Sequence, residues 1–125
     1  MKTLLPVLAA VVLGYAAPAA ALDSADFKAK TTRNLVNLCS ATWGDEDYQA
    51  AMGFCLGFID AAQDYHRAIS SGELVKPISC PGHSVSRQDV VDVFLEWAKS
   101  NDPLLDRESP IHGLMRASSA KWPCN

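Results

Sequence analysis

Beyond its first 22 residues, the sequence has no apolar run of about 18 residues, the length that a membrane-spanning helix requires. It also has no excess of basic charge, because 11 lysines and arginines face 14 aspartates and glutamates. A formal net charge of −3 is not typical of a nucleic-acid-binding protein, which needs a basic surface. No repeat, low-complexity tract or long linker divides the chain. These absences argue against a second membrane span, a nucleic-acid partner and several domains.

Catalytic and metal-binding motifs are missing as well. The sequence has no HExxH, no GxSxG and no glycine-rich phosphate loop. Asp60 and Asp64 lie one helical turn apart, but His66 faces elsewhere, so the three side chains do not converge on a metal ion. His83 and His112 have no evident partner in the sequence. We therefore expect no metal, no cofactor and no enzyme activity.

The N-terminal segment is typical of a secretory signal peptide. Lys2 precedes an apolar run over residues 4–13 and an alanine-rich stretch, in which Ala19 and Ala21 suit a cleavage site before Leu22. We predict a signal peptide at 1–21 and one exported domain at 22–125. Cleavage would leave 125 − 21 = 104 residues and, without Lys2, a formal charge of −4.

The cysteines all lie in the predicted exported part, at Cys39, Cys55, Cys80 and Cys124. An even number of cysteines in a small exported chain indicates two disulfides, which support a core of limited size. Four cysteines allow three connectivities, and the sequence alone does not choose among them. Antiparallel packing of neighbouring helices favours Cys39 with Cys55 and Cys80 with Cys124. Cys55 is then a structural half-cystine and not a nucleophile.

Hydrophobic periodicity predicts an all-α domain of four helices with short connections. The first helix is expected over residues 24–40 with Ser24 as its N-cap, and the second over residues 47–70. Gly53 and Gly57 share a face of the second helix and are predicted to allow a close packing contact. Its buried stripe is expected to contain Met52, Cys55, Phe58, Ile59, Ala62, Tyr65, His66 and Ile69.

Two further helices are predicted in the C-terminal half. Ser86 and Asp89 form a variant of the capping box at the start of the third helix, which should end before Pro103. Ser109 is the expected N-cap of the fourth helix, with Pro110 at its first position. The buried face of the fourth helix is expected to comprise Ile111, Leu114, Met115, Ser118 and Trp122.

The 40–49 loop, SATWGDEDYQ, is the main candidate for a binding site. It combines Trp43 and Tyr48 with Asp45, Glu46 and Asp47. Aromatic side chains anchor interfaces and charges steer encounter, so this composition suits a basic surface of a partner protein. Alternatively, the two aromatic side chains cover the core while the acids solubilise the turn and favour the N-terminus of the second helix. The exposed 75–85 loop is a second candidate.

The order of several short motifs resembles the Rap/Tai-type immunity proteins of type VI secretion. The shared elements run from a cysteine that ends the first helix to a C-terminal W-P-C. They comprise Cys39; Cys55, Gly57, Phe58, Ile59 and Asp64 in C-x-G-[FY]-[IV]-x-x-x-x-D; Cys80 and Pro81; Val85, Ser86 and Gln88 in V-S-x-Q; and Trp122 to Cys124. This resemblance covers nearly the whole predicted domain. It implies a small helical periplasmic protein, often a homodimer, that binds and occludes a peptidoglycan amidase delivered by rival or sister cells.

The leading hypothesis from the sequence is a non-catalytic exported binding protein, an immunity protein that blocks a cell-wall amidase. Three alternatives stay open. The first is a small acid-activated periplasmic chaperone, and the second is a helical carrier of a small apolar ligand. The third is a hydrolase whose catalytic carboxylates come from distant segments of the chain. A helical scaffold of this kind does not decide among them, because fold and function separate easily.

Overall fold

The computed structural model describes residues 21–125, and the predicted signal peptide lies outside this part except for Ala21. A 3-10 turn at Asp26–Lys28 precedes five α-helices, which are α1 Thr32–Cys39, α2 Tyr48–Ser70, α3 Arg87–Lys99, α4 Asp102–Leu105 and α5 Pro110–Lys121. No strand occurs among these 105 residues (125 − 20). The all-α prediction is confirmed, with five helices in place of the predicted four.

The hydrophobic core lies where the four longer helices meet. The α3 helix packs mainly on α5, and α1 packs on α2, on α5 and on the 3-10 turn. Full burial of a large apolar side chain contributes about 1.5–3 kcal/mol, so a few such side chains supply much of the driving force for folding. The buried cluster consists of Leu35, Cys39, Cys55, Ile59, Ala62, Val90, Val91, Phe94, Leu114 and Ala117.

The prediction of one continuous helix over residues 24–40 is wrong. After the 3-10 turn, Ala29 takes a left-handed conformation with φ 43°, and α1 begins only after Thr31. Thr31 is the N-cap in place of Ser24, because its side chain accepts from the amide of Asn34 while the Asn34 side chain accepts from the amide of Thr31. Side chains of these types compete with helical backbone hydrogen bonds and so favour a break in the helix at this point.

A buried carboxylate holds the 3-10 turn against α1. Asp26 is only 3% exposed. It accepts hydrogen bonds from the backbone amide of Asp23 and from the side-chain amides of Asn34 and Asn37, each at 3.0 Å. Burial opposes the charged form, but these three donors together hold the pKa of Asp26 below its usual value. The turn therefore depends on an ionised aspartate.

We expect Asp26→Asn to lower the free energy of unfolding by about 2 kcal/mol near neutral pH. The new side-chain oxygen can still accept from Asn34 and Asn37, but the NH2 group would then face the backbone N–H of Asp23. A lowered folded-state pKa stabilises the fold above the unfolded pKa of about 3.9, and this contribution is lost as the pH falls through the folded value. The difference between wild type and variant should therefore shrink below about pH 4. Urea unfolding from pH 3 to pH 7 measures it, with the exposed Asp92→Asn as the control. A constant difference would contradict the prediction.

The predicted capping box at the start of α3 is confirmed. The Ser86 hydroxyl accepts from the amide of Asp89 at 3.1 Å, and the Asp89 carboxylate accepts from the amide of Ser86 at 2.7 Å. The hydroxyl of Ser86 also donates to this carboxylate, and the two bonds lower the pKa of Asp89. The helix therefore begins where the sequence pattern places it.

The α3 helix ends before Pro103, as predicted, but the proline does not stop it, because Asp102 and Pro103 are themselves helical. The α3 helix ends at Lys99, and Pro103 lies in the first turn of α4, where a missing amide is tolerated. A tertiary ion pair holds α4, because the Arg33 guanidinium reaches Asp102 at 2.9 Å and Asp106 at 2.8 Å. These partners raise the pKa of Arg33 and lower that of Asp106. Arg33 thus links α1 to α4 through ion pairs.

The α5 helix begins at Pro110 after Ser109, as predicted, but its buried face is rotated. The buried side includes Pro110, Gly113, Leu114, Ala117 and Ser118, whereas Ile111 is 39% exposed. The face is set by the contact with α1, since the Thr32 hydroxyl donates to the carbonyl oxygen of Ser109 at 2.9 Å.

Gly113 allows α5 to approach α1 closely, the kind of contact that the sequence analysis predicted for Gly53 and Gly57. A Cβ atom at Gly113 would lie 2.2 Å from Cγ2 and 2.5 Å from Oγ1 of Thr32. Gly53 and Gly57 are exposed on α2, and a Cβ atom at either would meet nothing within 4 Å. The predicted packing role of Gly53 and Gly57 is therefore wrong, because the face of α2 that carries them points to solvent.

Both favoured disulfides are present. Cys39 at the end of α1 is bonded to Cys55 in α2, and Cys80 before α3 is bonded to Cys124 after α5. The first bond lies in the core and the second near the surface, with Cys80 exposed. The antiparallel helix argument thus selected the correct connectivity out of three.

Candidate functional site

The 40–49 loop is organised by a tight turn. One carboxylate oxygen of Asp45 accepts from the amide of Thr42 at 2.7 Å and from its hydroxyl at 3.1 Å. The amide of Asp45 in turn donates to the carbonyl oxygen of Thr42 at 3.0 Å. Gly44 adopts φ 126°, a conformation that side chains disfavour. The turn therefore has a defined shape, and Asp45 is one of the groups that define it.

Trp43 projects from this turn into solvent. Its side chain is 82% exposed, and its ring contacts Tyr48 edge to face with centroids 5.4 Å apart. The alternative that Trp43 covers the core is therefore wrong, whereas Tyr48 is half-buried and supports the indole ring from the first turn of α2. A large aromatic side chain that is exposed and held by a neighbour suits an interface anchor.

The three acids of the loop have different roles, although the sequence presents them as equivalent. Asp45 is committed to the turn. Asp47 occupies the N-cap position of α2 but makes no capping hydrogen bond with its side chain. Asp47 and Glu46 are both exposed, so their charges stand beside Trp43 and are accessible to a partner.

The C-terminal half of α2 departs from its predicted apolar stripe. Tyr65 is 68% exposed and Ile69 is 40% exposed, because α2 extends past the core at this end. The following segment is also open to solvent, with Leu74 fully exposed and Ile78 57% exposed. The 75–85 loop is tied to the helix at one point, where His66 Nε2 accepts from the amide of Ile78 at 3.1 Å.

The carboxylates of α2 are engaged in ion pairs. Asp60 pairs with Arg87 at 2.9 Å, and Asp64 pairs with Arg67. Within residues 21–125, no group of three or more histidine, cysteine or acidic side chains is placed to hold a metal ion. In the same range, no helix combines the length and the apolarity needed to cross a membrane.

The described residues thus form a small all-α domain with two disulfides and an exposed tryptophan beside exposed acids. The sequence matches the Rap1a immunity proteins over residues 31–124, from the N-cap of α1 to the last cysteine. The chain therefore belongs to the Rap1a immunity protein family, which indicates an immunity protein for a secreted effector. No significant match was found to a curated protein or to a solved structure.

Proposed function

We propose that this protein is a periplasmic immunity protein that binds a peptidoglycan amidase effector of type VI secretion and blocks it without catalysis of its own. Membership of the immunity family supports the class of partner. Two disulfides support an oxidising compartment, and the signal-peptide pattern at 1–21 supports export of residues 22–125 as one domain. The observation that carries the proposal for the binding surface is the 82% exposure of Trp43 beside free carboxylates.

The shape of the 40–49 loop suits tight binding. The turn at Thr42 and Asp45 and the contact with Tyr48 already fix the position of Trp43, so little conformational entropy remains to be lost on association. Burial of the indole ring would supply the main attractive contact. Glu46 and Asp47 would accelerate encounter with a basic surface near the amidase active site.

The first test is affinity capture with oxidised mature protein and secreted material from the source bacterium. The expected result is one stoichiometric peptidoglycan amidase, identified by mass and then inhibited by the purified protein in a peptidoglycan hydrolysis assay. Light scattering of the free protein tests the homodimer that the family resemblance implies. Capture of many unrelated proteins at low pH alone would favour the chaperone instead, and co-purified lipid would favour the carrier.

Within the complex, Trp43→Ala is expected to raise the dissociation constant for the amidase about 100-fold, the effect of removing an aromatic anchor. Its effect on stability should be below about 0.5 kcal/mol because the side chain is exposed. Calorimetric titration measures the first quantity and urea unfolding the second. Tyr65→Ala, which removes a 68% exposed aromatic side chain at the other end of α2, is the matched control.

The charge of the loop is tested with Glu46→Gln and Asp47→Asn, since substitution of Asp45 would also break the turn. The association rate of the double variant should be lower and less dependent on salt than that of wild type. Unchanged binding by both the Trp43 and the charge variants would exclude this loop as the contact surface.

A further inference from the structure

A groove of about 370 Å³ lies at the opposite end of α2 from the 40–49 loop. Its walls are the last turns of α2, the segment 77–85 and the middle of α5. At 1.5 Å per residue, residues 63–70 lie roughly 22–33 Å along the helix axis from Tyr48. We call it the histidine groove, and its lining residues used here are His66, Arg67, Ser79, His83, Val85 and Met115.

The polar groups of the histidine groove favour an anion. Arg67 supplies a permanent positive charge, two imidazoles join it, and no carboxylate belongs to the lining. By contrast, the shallow depression around Trp43 is lined by two acids, Asp45 and Glu46, and by no base. The depression beside Trp43 is therefore acidic, whereas the charged side chain in the lining of the histidine groove is Arg67, whose partner Asp64 lies outside that lining.

Ser79 adds an unused hydrogen-bonding group to the groove. The residue is only 5% exposed, and its hydroxyl has no hydrogen-bond partner within the described part of the chain. A buried polar atom without a partner is costly, so such atoms are rare outside sites where another group completes them. Val85 and Met115 provide apolar wall beside it. A few polar groups on an apolar lining are typical of a ligand site.

The groove is held open by contacts already present in the free protein. His66 Nε2 accepts from the amide of Ile78 at 3.1 Å, which leaves Nδ1 as the ring nitrogen for a further hydrogen bond. The disulfide of Cys80 and the hydrogen bond from its amide to the carbonyl oxygen of Trp122, at 2.8 Å, fix the opposite wall to the C-terminus. Binding would therefore require little rearrangement.

We propose that the histidine groove binds an acidic side chain of the partner protein. This second contact would complement the 40–49 loop, because here the partner supplies the negative charge. The one guanidinium in the lining balances the single charge of a carboxylate, whereas a phosphate dianion would keep an unbalanced charge. Arg67 is available for exchange, because its present partner Asp64 lies on the surface, with side chains 73% and 71% exposed, where an ion pair contributes little. The inference rests on the proposed function for the identity of the partner but not for the chemistry of the groove.

The groove is tested without any amidase, by NMR titration of the oxidised mature protein at constant ionic strength. The probe is N-acetylglutamate α-amide, which carries one side-chain carboxylate, and the matched control is the neutral N-acetylglutamine α-amide. We expect saturable shifts of the Ser79 and Ile78 amide signals with the acid alone. Arg67→Gln should weaken binding about tenfold, and Asp64→Asn should strengthen it about twofold by releasing Arg67. Lys28→Gln, at an exposed position outside the groove, should change nothing.

Equal shifts with the neutral amide, tighter binding of inorganic phosphate, or full binding by Arg67→Gln would overturn the carboxylate site. Where the amidase complex is available, Arg67→Gln should also weaken it about tenfold. Loss of inhibition in Trp43→Ala with no effect of Arg67→Gln would overturn the groove as a contact and leave the proposed function intact. Binding of the acidic probe by a protein that inhibits no amidase would overturn the proposed function and leave the carboxylate site standing.

Discussion

Gly113→Ala is expected to lower the free energy of unfolding by about 2–3 kcal/mol, the cost of forcing an extra methyl group into a packed contact. The new Cβ atom would lie 2.2 Å from Cγ2 of Thr32, so α1 and α5 would have to separate. Separation also strains the bonds from the Thr32 hydroxyl to the carbonyl oxygens of Glu108, at 3.2 Å, and Ser109, at 2.9 Å. Urea unfolding with linear extrapolation measures the loss.

The sign of this effect is diagnostic, because alanine is otherwise favoured over glycine in a helix by about 1 kcal/mol. Gly53→Ala and Gly57→Ala are matched controls in α2, where the added methyl group meets nothing. Both should stabilise the domain, by up to about 1 kcal/mol each. Thr32→Ala should relieve part of the clash, so the double variant with Gly113→Ala should lose less than the sum of the single losses. A stabilising Gly113→Ala would show that the helices do not approach as closely as described.

Removal of the core disulfide is the second large effect. Cys39→Ala with Cys55→Ala should cost about 5 kcal/mol, of which about 3 kcal/mol is the chain entropy of opening a loop of 16 residues. The rest comes from two buried sulfur atoms, since Cys39 is 4% exposed and Cys55 is fully buried. The single change Cys55→Ala should cost on the order of 2–5 kcal/mol and abolish no chemistry. Denaturant titration of the oxidised variants gives these values.

The disulfide near the surface provides the comparison. Its loop of 44 residues predicts an entropic cost of about 4 kcal/mol on removal, but Cys80 is exposed and leaves no core cavity. We therefore expect Cys80→Ala with Cys124→Ala to cost less than the core pair. The opposite order would mean that loop length outweighs packing in this domain. A thiol reagent that labelled Cys55 in the native oxidised protein would contradict the structural role of that cysteine.

Local rules sufficed for much of the fold. The start of α3 follows from the reciprocal bonds of Ser86 and Asp89, and the start of α5 from the proline at position 110, all within a few residues. Errors arose where hydrogen bonds and ion pairs outweigh periodicity. The break before α1 follows from the capping box of Thr31 and Asn34 and from the bonds of Asp26, and α4 is held by Arg33 about 70 residues earlier in the chain. Hydrophobic periodicity describes the faces of one helix and does not detect such contacts.

In the candidate sites too, the sequence shows which residues are present but not how tertiary contacts arrange them. The composition of the 40–49 loop was enough to single out Trp43 and its acids, because an aromatic residue among carboxylates is visible in the sequence. It could not show that Asp45 belongs to the turn, since that requires the position of Thr42. The histidine groove was missed as a unit because its lining comes from three separate segments. The one available signal was His83 within the 75–85 loop.

The disulfides join neighbours in the sequence: the first of the four cysteines with the second, and the third with the fourth. The two covalent rings, 39–55 and 80–124, therefore do not overlap. With the export that we propose, a thiol oxidase that acts on the cysteines in the order in which they emerge from the membrane would form the native bonds directly. Maturation of this protein would then need no disulfide isomerase, and new copies would become active as fast as they are oxidised and folded.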